Sequence, residues 1–432
     1  MRVEISPAKQ LKGKLNIPGD KSISHRGIIF GALSHGTTRL RNFLMAHDCI
    51  STIEIFREMG ISIDIEENNT VLIHGKGLKG LSAPKKLLDA GNSGTTARLL
   101  LGLLSGQDFD STLTGDESLR SRPMDRVTIP LRQMGASFDT GDTGDYLPIT
   151  VKGKKTDYLK AIDYTLPVAS AQVKSSIILA SLYANDSSTI RQPTLSRNHT
   201  EIMLETFGGK IQVDADNTIT VHPVPQLYAQ DFMIPGDISS AAYFITAALL
   251  VPQSEIILEN VGINPTRSGI LEVYKEMGAE IEIAGTDQGS KEPSANIAVR
   301  TSSLTGTTIE GDLIPRLIDE LPIIALAATQ AHGTTIIRDA EELKVKESNR
   351  IDSTVNILKS FGADIQATSD GMIIRGPTPL LGTRIKPGSD HRLVMMAAIG
   401  GLIAQGTTII EGAQWADISY PDFFKEIEKL RC

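Results

Sequence analysis

The chain has 432 residues, of which 41% are hydrophobic and 22% charged, and its net charge is -8. That length holds two or three domains with sizeable cores, and the acidic balance argues against nucleic acid or an anionic membrane as the main partner. The two cysteines, Cys49 and Cys432, give neither a disulfide framework nor a metal-ligand spacing, and suit a reducing, cytoplasmic setting.

Strand-like segments at 2–5 and 14–17 come first, and residues 1–20 lack the apolar core of a signal peptide. Six apolar helices then follow at intervals, beginning near Lys21, Asn92, Ser170, Asp237, Asp319 and Asp390. The longest apolar runs, 241–251 and 394–404, have eleven residues each. A membrane span needs about 20, so these predict buried helices. After a helix comes a turn and a β-branched strand: SHGTTRL (34–40), AHGTTII (331–337) and AQGTTII (404–410) are near copies. Looser versions stand at 106–113, 185–190 and 253–258.

A second helix in each unit ends on its own recurring phrase. It reads FREMGISIDI (56–65), LRQMGASFDT (131–140), LETFGGKIQV (204–213), YKEMGAEIEI (274–283) and LKSFGADIQA (358–367). Gly60, Gly135, Gly208, Gly278 and Gly362 fit helix C-caps, where glycine tolerates the left-handed conformation before a strand begins. Their spacing of 70–84 residues is too long for the usual solenoids and predicts six copies of a small α/β unit, three to a domain. The last copy ends without its Gly-strand tail, and the N-terminal strands are expected to supply it.

PGDKS (18–22), PGDISS (235–240) and PGSDHR (387–392) are related helix starts: a Pro-Gly turn, then a capping Asp or Ser. Turn and cap alone need no function. Six such starts facing one cleft would bind anions through exposed N–H groups and helix dipoles. Basic residues cluster at the same boundaries: Lys21 and Arg26; Arg120, Arg122 and Arg126; Arg197; Lys344, Lys346 and Arg350; Arg392. Arginine's planar fork suits carboxylate and phosphate, so the pattern points to two multiply charged ligands. Asp319, Glu320 and Glu347 add carboxylates where proton transfer would need them. Ion pairs between domains account equally well for these residues taken alone. GNSGTT (91–96) fits a capped turn as well as a phosphate loop, and the absence of GxxxxGK[ST] argues against ATP hydrolysis.

PGDKSISHR (18–26), GNSGTTARLL (91–100), SLRSRPMDR (118–126), KVKESNR (344–350) and PGSDHR (387–392), in that order, resemble the 5-enolpyruvylshikimate-3-phosphate (EPSP) synthase family of enolpyruvyl transferases. The resemblance implies an α/β fold of two inside-out barrels, each of three βαβαββ repeats. One domain would be 21–234 and the other 1–20 with 235–432, hinged near 18–21 and 234–237. It implies transfer of the enolpyruvyl group of phosphoenolpyruvate to the 5-hydroxyl of shikimate 3-phosphate, without metal, nucleotide or organic cofactor, by a cytoplasmic monomer that glyphosate inhibits in competition with phosphoenolpyruvate. Carried over by position, shikimate 3-phosphate falls to Lys21, Ser22, Arg26, Ser170, Gln172, Ser196, Arg197, Asp319 and Lys346. Phosphoenolpyruvate falls to Lys21, Gly94, Arg122, Gln172, Arg350 and Arg392. Lys21, Asp319, Glu347 and His391 are the implied catalytic positions, with Asp319 the preferred hydroxyl base.

Three positions depart from some relatives: Ala171 stands for Ser, His199 for Tyr, and Ile418 where a Lys occurs. UDP-N-acetylglucosamine enolpyruvyl transferase is the closest rival, but its reactive cysteine would fall in the loop near 111–124, which has none. RNA 3′-phosphate cyclase shares repeated units, and the acidic balance and missing nucleotide motif count against it. A non-catalytic metabolite-binding scaffold is the rival from another class; it would have no need of Lys21, Glu347 and Arg392 together.

Overall fold

The computed structural model describes residues 1–154, 158–287 and 291–432. The chain divides into two compact units, Met1–Pro18 with Pro235–Cys432, and Gly19–Ile234. Among the described residues each unit carries three β-sheets. Inside the sheets lie six helices: α1 (Lys21–Ala32), α2 (Gly94–Leu104) and α3 (Ala171–Ser181) in one unit, and α4 (Ile238–Leu250), α5 (Leu321–Ala328) and α6 (His391–Ile403) in the other. These helices are apolar on every side rather than striped, which is the pattern of a helix surrounded by its own domain. α4 is buried from Ile238 to Leu249, and α6 from His391 to Leu402. Strands instead alternate: in Glu255–Gly262 the buried Ile256, Leu258 and Val261 face the helices while Glu255 stays exposed. Among the described residues no helix is long and apolar enough to cross a membrane.

One repeat shows the pattern. Strand Leu88–Asp89 leads into α2, and Ser111–Thr114 returns beside it in parallel. After helix Asp125–Gln133, strands Ser137–Asp139 and Ile149–Lys152 complete an antiparallel edge. The five phrase-ending glycines all adopt positive φ, from 84° at Gly60 to 94° at Gly362. A Cβ there would be strained, so each glycine stops its helix and starts the next strand.

The chain closes on itself as expected at one place and differs at another. Arg2–Ile5 pairs antiparallel with Thr408–Glu411, Arg2 opposite Glu411, and so supplies the tail missing from the last repeat. The other N-terminal strand, Lys12–Asn16, instead runs parallel to Glu255–Gly262, the strand that follows α4, although the chain from it continues into α1. It fills in the fourth repeat the place that Leu88–Asp89 fills in the second, while Asp231–Met233, the strand directly ahead of α4, pairs with Ser34–Arg41.

Helix starts also divide. Asp20, Ser93, Ser170, Asp237 and Asp390 each accept a backbone N–H of the first turn from their side chains. The fifth start departs from the expectation near Asp319: α5 begins at Leu321, with Pro322 in its first turn and no side-chain cap. Proline brings no N–H to be capped. The N-cap residue of α5 is Glu320, and the Asp319 carboxylate instead receives Arg350 Nη1.

Candidate active site

Side-chain hydrogen bonds tie the starts of α1, α2 and α3 together in the unit Gly19–Ile234. The His25 ring Nδ1 lies 2.8 Å from Thr52 Oγ1, and Thr52 Oγ1 lies 2.8 Å from Thr96 Oγ1, which donates to the α2 cap Ser93 at 2.8 Å. Between α2 and α3, Arg98 Nη1 donates to Gln172 Oε1 at 2.5 Å and Gln172 Nε2 donates to Thr95 Oγ1 at 3.1 Å. Between α1 and α3, the buried Arg26 donates through Nη2 to Ser175 Oγ (2.9 Å), through Nε to Thr200 Oγ1 (2.6 Å) and through Nη1 to the Ser22 carbonyl (3.0 Å).

Cations border these starts. Lys21, the first residue of α1, donates to Asp48 Oδ2 at 3.0 Å from a partly exposed position. Arg122 Nη2 reaches Asn92 Oδ1 and Ser118 Oγ, each at 3.0 Å. Gly94 opens α2 without a left-handed φ; the turn ahead of it uses Gly91, at φ 57°. A Cβ on Gly94 would point at Arg98 Nη1 (3.3 Å) and Arg122 Nη1 (3.5 Å). The space left by its missing side chain is thus bounded by two guanidinium groups. Ser170 caps α3, and Ser196 gives its hydroxyl to Gln192 at 2.8 Å just ahead of Arg197. Arg120 and Arg126 are exposed on the same segment as Arg122.

Burial and electrostatics agree at His25. It is fully buried; desolvation, then the nearby Lys21 and Arg26 charges, hold its pKa well below the ordinary histidine value.

The other unit gathers carboxylates around two arginines. Arg350, with a side chain only 1% exposed, opens helix Arg350–Ser360. Its Nε donates to Asp390 Oδ2 (2.8 Å), its Nη1 to Asp319 Oδ1 (3.3 Å) and its Nη2 to Glu347 Oε2 (2.5 Å). Burial disfavours the charged guanidinium, but Asp390, Glu347 and Asp319 outweigh it and raise the Arg350 pKa. Burial likewise opposes ionisation of Asp390, and Arg350 overrides it, so the Asp390 pKa lies below the usual carboxylate value. Arg392 lies 3.7 Å from Asp319 Oδ2 and 3.9 Å from Glu320 Oε1. His391 is buried beside it at the head of α6. Lys346 pairs with Glu342 at 3.3 Å rather than with the Asp319 group, and Lys344 donates to the Ser369 carbonyl.

The structure therefore draws Lys21, Ser22, Arg26, Gly94, Arg122, Ser170, Gln172 and Ser196 into one linked set, with Arg197 next to Ser196 in the chain, and Asp319, Glu347, Arg350, His391 and Arg392 into a second. Of the departing positions, Ala171 opens α3, His199 opens helix His199–Thr206, and Ile418 ends the turn Ala413–Ile418. Sequence reasoning missed Arg98, Asp48 and Asp390 as members. Arg98 was findable: it stands four residues after Gly94, one helical turn along the same face. Asp48 carries no such signal, because helix His47–Glu58 reaches Lys21 only through the fold. Among the described residues no three His, Cys, Asp or Glu side chains are grouped to hold a metal ion.

The family model for EPSP synthase (3-phosphoshikimate 1-carboxyvinyltransferase) matches residues 5–427. A 3-phosphoshikimate 1-carboxyvinyltransferase of Bacillus thuringiensis is 52% identical over 420 residues, covering 97% of each chain. One from Bacillus licheniformis is also 52% identical, over 421 residues, with the same coverage. The solved EPSP synthase of Acinetobacter baumannii superposes with a TM-score of 0.89 at 41% identity, covering 100% of this chain and 98% of that one. The enolpyruvyl transferase NikO of Streptomyces tendae, at 16% identity and a TM-score of 0.80, shares the fold. With its six repeats and whole-length match, the chain belongs to the EPSP synthase family.

Proposed function

We propose that this chain transfers the enolpyruvyl group of phosphoenolpyruvate to the 5-hydroxyl of shikimate 3-phosphate and releases phosphate. The observation that carries this is 52% identity across 97% of both chains with relatives named for that activity. It also favours the shikimate acceptor over a UDP-sugar.

The roles follow from chemistry. Phosphoenolpyruvate gains a proton at its methylene carbon, and the acceptor's hydroxyl oxygen bonds to the carbon bearing the phosphate as the hydroxyl proton leaves. Phosphate then departs with its C–O electron pair while the methyl group gives up a proton, restoring the double bond. Asp319, a carboxylate held between Arg350 and Arg392, is the proposed hydroxyl base; Glu347 and Lys21 share the proton transfers at the methylene carbon, and His391 supports them. Lys21, Gly94, Arg122, Gln172, Arg350 and Arg392 serve the donor. Lys21, Ser22, Arg26, Ser170, Gln172, Ser196, Arg197, Asp319 and Lys346 serve the acceptor. Every guanidinium nitrogen of Arg350 is already given to a carboxylate. Those bonds and a second from Nη2 to Asp390 use four of its five N–H groups, so the donor would be met by the other Nη1 N–H or by exchanging a carboxylate for the ligand's own anion.

The proposed base and the larger share of the proposed acceptor contacts lie in different units. In this reading the enzyme acts as a cytoplasmic monomer. Phosphate release tests the proposal: it is expected only with both substrates present. Release with UDP-N-acetylglucosamine as acceptor, or none with shikimate 3-phosphate, would refute it.

A further inference from the structure

Behind the acceptor residues of α3 lies a buried charge pair that the reaction does not use. Lys174 is 0% exposed, and its ammonium donates to Glu201 Oε1 at 2.7 Å and to the Ser196 carbonyl at 3.1 Å. It stands one turn after Ser170, whose carbonyl accepts the Lys174 backbone N–H. Glu201 belongs to helix His199–Thr206, which follows the turn carrying Ser196 and Arg197. Burial lowers the Lys174 pKa and Glu201 opposes that shift. Packing α3 against that helix would need only apolar residues, and an apolar pair often matches or exceeds the stability of a buried ion pair.

An apolar pair could not hold the Ser196 carbonyl. That oxygen belongs to the peptide unit shared with Arg197, and in a trans peptide the carbonyl and the N–H point in opposite directions. Drawing the carbonyl toward Lys174 in the core turns the Arg197 amide away from it. Gln192 Oε1 holds the same residue from the other side, accepting the Ser196 N–H at 3.1 Å and the hydroxyl at 2.8 Å. Resting on the acceptor assignment above, we infer that Lys174 and Glu201 are a positioning pair that sets the Ser196–Arg197 peptide for the acceptor's 3-phosphate. Neither residue touches substrate.

The test is Lys174→Met with Glu201→Leu, which keeps the volume and removes the donor to Ser196. The KM for shikimate 3-phosphate is expected to rise about tenfold, the effect of one misaligned hydrogen bond to a charged group. The KM for phosphoenolpyruvate should change less than about twofold. With shikimate, which lacks the phosphate, the variant and the parent should have the same kcat/KM. An unchanged KM for shikimate 3-phosphate in the folded variant overturns the inference, as does an equal loss with shikimate. Should this variant not fold, Lys174→Gln with Glu201→Gln keeps a hydrogen-bonded pair one atom too short to reach Ser196 as well, and the same KM rise is expected. Failure of both to fold would make the pair a folding requirement and overturn the assignment. A parent enzyme that releases no phosphate with both substrates refutes the underlying reading instead.

Discussion

The two residue sets handle charge in opposite ways. In the unit Gly19–Ile234, cations are held mainly by neutral groups: Arg26 by Ser175, Thr200 and a carbonyl, Arg98 by Gln172, Arg122 by Asn92 and Ser118. Lys21 pairs with a carboxylate, Asp48. In the other unit Arg350 and Arg392 stand among Asp319, Glu320, Glu347 and Asp390. Neutral partners orient a cation without cancelling its charge, so the first set keeps a positive field for anionic ligands. Carboxylates cancel the arginines in the second set, which suits it to moving protons. The difference explains how a chain of net charge -8 can take two anionic substrates.

The largest effect should come from removing the acid–base groups of the carboxylate-rich set. Asp319→Asn and Glu347→Gln keep size and lose charge, and each is expected to lower kcat by about 10² to 10⁴-fold with KM values largely kept. Steady-state kinetics on the folded variants checks this. More than about a third of parental turnover in both would move the proton transfers elsewhere and dissolve the proposed division of labour.

Lys21→Ala removes from the cationic set the lysine that pairs with Asp48. Both kcat and the affinities should drop, with kcat/KM for each substrate down by about 10²-fold, as for a lost hydrogen-bonded charge. Near-normal kinetics from a folded variant would remove Lys21 from both ligands.

Gly94→Ala should act more mildly. The new methyl would meet the movable ends of Arg98 and Arg122, not backbone, and Gly94 needs no left-handed φ. The fold should therefore tolerate the change while the donor space shrinks. Added bulk in a tight site costs about 1–3 kcal/mol, or roughly 5- to 150-fold in binding. Glyphosate, longer than phosphoenolpyruvate, should suffer more, so the ratio of its inhibition constant to the donor KM should rise. A flat or falling ratio would place Gly94 outside the donor site.

Much of this was legible in the sequence. The repeat glycines announced six units because a left-handed helix end leaves few alternatives to glycine. The helix starts were readable through their caps wherever the cap was Asp or Ser, and failed near Asp319, where Pro322 replaces the capping requirement. The second N-terminal strand was assigned to the wrong repeat because alternation identifies a strand but not its neighbour. The site residues on local motifs were visible; Asp48 and the Lys174–Glu201 pair were not, since their partners are 27 residues away in each case. Nothing in a single sequence marks which lysine of a helix points inward.

The smallest expected effect is on stability, and it asks whether the cationic field is felt where it should be. His25 is held neutral by burial and by Lys21 and Arg26, so its folded pKa lies below the unfolded value of about 6.5. Below that pH the unfolded chain binds a proton that the native state refuses, and stability falls as pH drops toward the folded pKa. The contribution from this group approaches about 1.4 kcal/mol per pH unit. Asp390 follows the carboxylate rule in a different window: its depressed pKa stabilises above about 3.9 and is lost only as pH falls through the folded value. Melting temperatures of the parent and of His25→Gln, measured from pH 7.5 down to pH 5, separate the two, because Asp390 is ionised throughout. Gln cannot titrate, so its profile should be flatter below about pH 6.5 even if its stability is lower at every pH. Other histidines contribute equally to both proteins and cancel in the difference. Parallel profiles would mean that His25 takes up its proton in the native state despite Lys21 and Arg26, and the neutral partners of the first set would then not be preserving a positive field at all.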